Sequence, residues 1–98
     1  MNKQQIIQDI FNHIKNGGGF PNEWYVGIAN DAEGRLFSDH NVDRQTATWI
    51  WRPAESSEEA REIEQYFLNA VRTDGGQGGG DRTSKQVYAY KKTWQTRP

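Results

Sequence analysis

Few residues in this chain have the type and placement to do chemistry, and they are spread along it. Glu64 lies in a stretch where Ala60, Ile63, Phe67, Ala70 and Val71 recur at helical spacing. At about 100° per residue it falls between Leu68 and Val71 on the apolar arc, whereas Glu62 falls on the wet side. A carboxylate in that place is costly unless it pairs with an arginine, binds a metal ion or sits at the rim of a cleft. Tyr25 is the second candidate. In the segment Trp24-Tyr25-Val26-Gly27-Ile28-Ala29 the side chains alternate, so Trp24, Val26 and Ile28 share one face while Tyr25, Gly27 and Ala29 share the other. That second face is nearly bare, and a glycine inside a strand often marks the close approach of a ligand or of another backbone. Arg35 projects away from the Leu36 and Phe37 side of a short helix, free to reach the strand end. Near the C-terminus, alternation puts Tyr88, Tyr90, Lys92 and Trp94 on one face. Such a face could stack a base or hold a backbone phosphate, or simply pack against a helix.

The elements that must position these residues follow from apolar periodicity and from breakers. A helix is predicted over 3–16, where Ile6, Ile7, Ile10, Phe11 and Ile14 fill one arc and Gly17-Gly18-Gly19 ends it. His13, at the edge of that arc, receives no role. A strand over 23–29 runs into Asn30-Asp31, good N-cap residues for a helix over 32–40. The β-branched and aromatic segment 46–52, closed by Pro53, reads as a second strand expected to pair beside the first. Ser56-Ser57-Glu58-Glu59 opens a helix over 57–72 in capping-box fashion. A glycine-rich loop follows at 74–81, then a third strand over 86–94. No helix start follows that loop, as a phosphate-cradling glycine loop would require, so it reads as a connector or a flexible loop on the substrate side. The chain is expected to form a single α+β domain over 1–98, a small and mostly antiparallel sheet of about three strands packed with three helices.

Composition narrows the chemistry. The 98 residues include no cysteine, which rules out disulfides and thiolate metal sites, so a metal would need carboxylate, imidazole or water ligands. No apolar run approaches a membrane span, and Asn2, Gln4, Gln5, Gln8 and Asp9 stand where a secretory signal needs an apolar block. A cytoplasmic protein without membrane association is the expectation. The formal net charge of −1 gives no global attraction to a polyanion, yet Arg82, Lys85, Lys91, Lys92 and Arg97 are the only charged side chains after Asp81. Lys85, Lys91 and Lys92 are therefore candidate nucleic-acid contacts, or the solubilising lysines of an edge strand.

Tyr25-Val26-Gly27, the polar turn Asn30-Asp31, then Arg35-Leu36 and His40 together resemble the second half of the GIY-YIG nuclease signature. Ala60 and Glu64 are similar to the later helix of that family, in which an alanine precedes by four positions the glutamate that binds the divalent metal. The resemblance covers about 24–68 and implies a GIY-YIG-like fold and phosphodiester hydrolysis by in-line attack of water on DNA or RNA. It further implies Mg²⁺ or another divalent cation on Glu64, Arg35 on the phosphate, and Tyr25 beside the attacking water. His40 would position a phosphate or act as a general base. No Gly-Ile-Tyr is present, and its place near 12–14 reads as helix. If the C-terminal strand occupies the sheet position of the missing one, Tyr88 or Tyr90 supplies its phenol. The alternative is a catalytically inactive module of the same fold that binds nucleic acid or a protein partner.

Overall fold

The computed structural model describes residues 2–76 and 83–98, and its elements form where side-chain pattern and capping agree. Helix α1 (Lys3–Gly17) starts at Asn2, whose side chain accepts the Gln5 N–H at 2.8 Å, and it buries Ile6, Ile10 and Ile14. Strand β1 is Trp24–Ala29, β2 is Trp49–Pro53 and β3 is Gln86–Lys91. Helix α2 comprises Ala32–Gly34, capped by the Asp31 carboxylate, and continues as a π-helical turn over Arg35–Asp39. Helix α3 (Ser57–Tyr66) is capped by Ser56 Oγ, which accepts the Glu59 N–H at 3.1 Å, and it too continues as a π-helical turn, Phe67–Val71. Among the described residues the architecture is thus α+β, with three helices around a three-stranded antiparallel sheet.

The strand order is β1-β3-β2, so β3 lies between the two strands expected to pair with each other. Burial accounts for the order. Val87, Tyr88, Ala89 and Tyr90 are all buried, so β3 is covered on both faces, whereas β2 carries half-buried side chains and ends in Pro53, which lacks a ladder donor and suits an edge. The second strand starts at Trp49 because Asp43 holds residues 45–47 in a turn, taking the N–H groups of Gln45 and Thr46 on its carboxylate and that of Ala47 on its carbonyl. The third ends at Lys91 because the chain turns at Thr93–Thr96.

The two sheet faces form separate cores. Trp24, Val26, Ile28, Ile50, Val87 and Ala89 pack against the isoleucines of α1 and against Ala60, Ile63 and Phe67 of α3. The opposite face joins Tyr25, Ala29, Tyr88 and Tyr90 to Ala32, Leu36 and Val42, with Phe37, Trp49 and Trp51 half-buried at its margin. The face that looked bare in sequence is filled by tyrosines from β3. The free edge of β1 is met by residue 74: Val26 N–H donates to the Asp74 carbonyl at 2.9 Å, and Asp74 N–H to the Trp24 carbonyl at 2.8 Å. Of the glycine-rich loop, 77–81 lie outside the described residues. No helix among the described residues is long and apolar enough to cross a membrane.

Candidate functional site

The antiparallel register sets Tyr25 against Tyr90 and Gly27 against Tyr88. A Cβ placed on Gly27 would sit 2.5 Å from the Tyr88 hydroxyl oxygen, so the absence of a side chain there lets the Tyr88 phenol lie across β1. Tyr25 stacks with Tyr90 and Tyr88 at ring-centroid distances of 5.3 and 6.4 Å, and His40 approaches the Tyr25 ring at 4.6 Å. His40 reaches this cluster because the π-helical turn closes with its N–H on the Arg35 carbonyl at 2.8 Å. Such turns are rare and often occur at functional sites.

The hydrogen bonds of His40 fix its tautomer. Nδ1 lies 2.6 Å from the Arg97 carbonyl, which can only accept, so Nδ1 carries the proton. Nε2 is then the acceptor and takes the Tyr88 O–H at 2.8 Å, while the Tyr90 hydroxyl lies 3.1 Å from Nδ1 as a second acceptor. Burial holds His40 below its ordinary pKa, which keeps the ring neutral and able to accept. Burial also pushes the Tyr88 and Tyr90 phenols well above 10, and Tyr25 upward to a lesser degree. Tyr25 has a compensating partner, since its oxygen receives the Gly76 N–H; a Cβ on Gly76 would stand 2.7 Å from that oxygen.

Glu64 is 1% exposed, and neither carboxylate oxygen has a hydrogen-bond partner. Desolvation raises its pKa from 4.5 to about 7, with Arg61 pulling weakly in the other direction. The charges of Glu64 and Arg35 both act on Tyr25 and on Tyr88, in opposite senses, whereas Tyr90 feels Asp74 and the other phenols instead. Arg35 Nε lies 3.0 Å from Asp39 Oδ2, a pair whose alignment makes no hydrogen bond. Arg35 opens onto a cleft of about 560 Å³ that Asn30, Asp31, Ser38, Asp39 and Ser84 also line. Tyr25, Tyr88, His40 and Glu64 are not among the residues that line that cleft, so of the expected site residues it gathers Arg35 alone.

The lysines do not gather. Lys85 is exposed just before β3, and Lys91 ends that strand roughly 20 Å away, its Nζ donating to the Gly17 carbonyl at 3.2 Å. Lys92 alone stands beside the tyrosines, paired with Asp74 at 3.0 Å. Reading the sequence missed Gly76 and Asp74 as neighbours of Tyr25, and the Arg97 carbonyl as the partner of His40. The glycine pair next to an aspartate was the one local signal for the first; the second depends on where the tail folds back. No group of three His, Cys, Asp or Glu side chains among the described residues could hold a metal ion together. Comparison with models of known families, with characterised proteins and with solved structures finds no match.

Proposed function

We propose that this chain is a small, metal-dependent nuclease resembling the GIY-YIG family, with its last strand standing in for the missing Gly-Ile-Tyr strand. One observation carries the reading: Glu64 on α3 is a buried carboxylate without any hydrogen-bond partner, in a fold whose β1 and β3 bring Tyr25, Tyr88 and His40 together. Two bare oxygens on Glu64 suit a hard cation, and Mg²⁺ commonly takes one carboxylate, with waters and phosphate oxygens completing its shell. What such a cation supplies is polarisation of the phosphate and charge stabilisation on the leaving oxygen.

The residues divide the rest of the work. Arg35, at the cleft, neutralises the phosphate with a guanidinium that matches two oxygens. Tyr88 is the phenol that donates its proton to a neutral imidazole. That arrangement makes a relay: as water attacks phosphorus, its proton passes to Tyr88 Oη while the Tyr88 proton passes to His40 Nε2. The bond to the leaving oxygen breaks with its electron pair on that oxygen, which takes a proton from solvent. The His40 imidazolium gives up its extra proton to solvent after the product leaves, and no free phenolate is required. His40 then acts as base through Tyr88 and not on the phosphate, consistent with its burial. Tyr25, held by the Gly76 N–H, orients the water. The near-complete burial of Tyr88 and Tyr90 favours a second reading, a module that binds nucleic acid or protein without cutting.

Plasmid DNA, single-stranded DNA and RNA incubated with Mg²⁺ or with EDTA separate the two. Cleavage is expected only with Mg²⁺, and Glu64→Ala should abolish it. Tyr88→Phe should slow it by roughly 100-fold or more, the scale of a lost proton-transfer group, and Tyr90→Phe should leave most of it. Cleavage that persists in EDTA or in Glu64→Ala refutes the reading, and binding without any cleavage selects the module.

A further inference from the structure

Trp24 is fully buried and Trp49 and Trp51 are half-buried, but Trp94 is 90% exposed. It is not on a loose end. Before it, Lys92 N–H donates to the Glu23 carbonyl at 2.7 Å; after it, Arg97 N–H donates to the His40 carbonyl at 2.7 Å. Between these, the Thr93 N–H donates to Thr96 Oγ1 and the Thr96 hydroxyl to the Thr93 carbonyl, both at 3.0 Å, while Asn41 Nδ2 holds the Gln95 carbonyl at 3.1 Å. The turn is fixed on every side, and at its tip stands an indole that buries nothing. The backbone that carries the indole is thus ordered in advance, so a partner that covers Trp94 need not order this turn to bind.

The surroundings say which kind. Lys91, Lys92 and Arg97 are the charged residues of the tail, and Arg97 makes no ion pair among the described residues. A second ring, Phe20, is 75% exposed on the chain that enters β1 at the same end of the sheet, where Glu23 meets Lys92. Lys91 is tied to the Gly17 carbonyl and Lys92 to Asp74, which leaves Arg97 as the cation for a phosphate. Exposed rings beside such a cation suit a nucleic-acid strand, whose bases stack while its phosphates pair. We propose that Trp94 is a stacking platform for an unpaired base of a single-stranded or frayed nucleic acid, set beside the Tyr25 site. Its position relative to that site is fixed by His40, which holds Arg97 on one nitrogen and Tyr88 on the other. Bases inside a duplex are already stacked on each other and cannot use it. The inference rests on the nuclease reading only for the identity of the neighbouring site.

Affinity is measured in EDTA, where cutting is disabled, by fluorescence anisotropy of dye-labelled oligothymidylate and of its duplex with oligoadenylate. Trp94→Ala is expected to weaken single-strand binding about 5- to 140-fold, the range that stacking of ~1–3 kcal/mol converts to. Trp94→Phe should restore most of the affinity, and duplex affinity should not change. Because Trp94 buries nothing, an unchanged thermal midpoint in Trp94→Ala shows that the fold is intact. A Trp94→Ala variant that binds single strands as tightly as the wild type overturns the proposal. So does a variant that instead loses self-association in sedimentation, which would assign the indole to a second copy of the chain. Strand binding through Trp94 in a protein that never cuts with Mg²⁺ leaves the platform standing and removes the nuclease reading; cutting without dependence on Trp94 does the reverse.

Discussion

A carboxylate inside a protein without a hydrogen-bond partner escapes its desolvation cost by keeping its proton or by gaining a cation. Glu64 is such a group, and the first escape is measurable without any cation present. Folding raises its pKa from 4.5 to about 7, so across that interval the folded chain holds a proton that the unfolded chain has lost. Its favourable contribution is therefore complete below pH 4.5, fades as the pH rises toward 7 and stays lost above it. The span is about 3 kcal/mol at most. Glu64→Gln cannot titrate. In EDTA, urea unfolding should show the variant gaining on the wild type between pH 4.5 and pH 8, by up to ~3 kcal/mol. A difference that stays constant with pH would mean that Glu64 is not desolvated as described.

At the scale of elements, β3 places Tyr88 and Tyr90 against Tyr25, and Gly27 makes that placement possible. Gly27→Ala sets a methyl group where the Tyr88 hydroxyl now lies, in a core packed on both sides of the strand. Overpacking of this kind typically costs ~1–3 kcal/mol, and here it also moves the phenol that donates to His40. Chemical denaturation should register the loss, and any cleavage should fall further than stability alone explains, because the Tyr88 to His40 hydrogen bond is broken while the fold persists. Unchanged activity in that variant would dissociate Tyr88 from the reaction. Helix α3 was legible in the sequence, because a 3.6-residue period both defines the helix and shows that Glu64 stands on its apolar side. The alternation of Tyr88 and Tyr90 was equally legible. That β3 would lie between β1 and β2 was not, since alternation assigns a face and says nothing about which strand comes next. The strip of lysines dissolved for a related reason: charges near each other in sequence end up at opposite ends of an extended strand.

For the whole molecule, the candidate site exists only when the chain has closed on itself. Tyr25 comes from β1, His40 from the end of α2, Glu64 from α3, Tyr88 from β3 and the Arg97 carbonyl from the tail. The sequence supplied each residue type but not their convergence, because pairs separated by as many as 57 positions, such as His40 and Arg97, are brought together only by the tertiary fold. With a net charge of −1, the chain offers no global attraction to a polyanion, so the proposed activity depends on local charge at Arg35 and on a cation at Glu64. The central claim is that Glu64 holds a divalent cation next to two phenols. Paramagnetic Mn²⁺ in place of Mg²⁺ tests it most directly, through the broadening of side-chain resonances in the NMR spectrum. The ring signals of Tyr25 and Tyr88 should broaden while those of Trp49, on the opposite edge strand β2, remain sharp, and Glu64→Gln should abolish the effect. Broadening that survives Glu64→Gln, or that spares both tyrosines, would contradict the account.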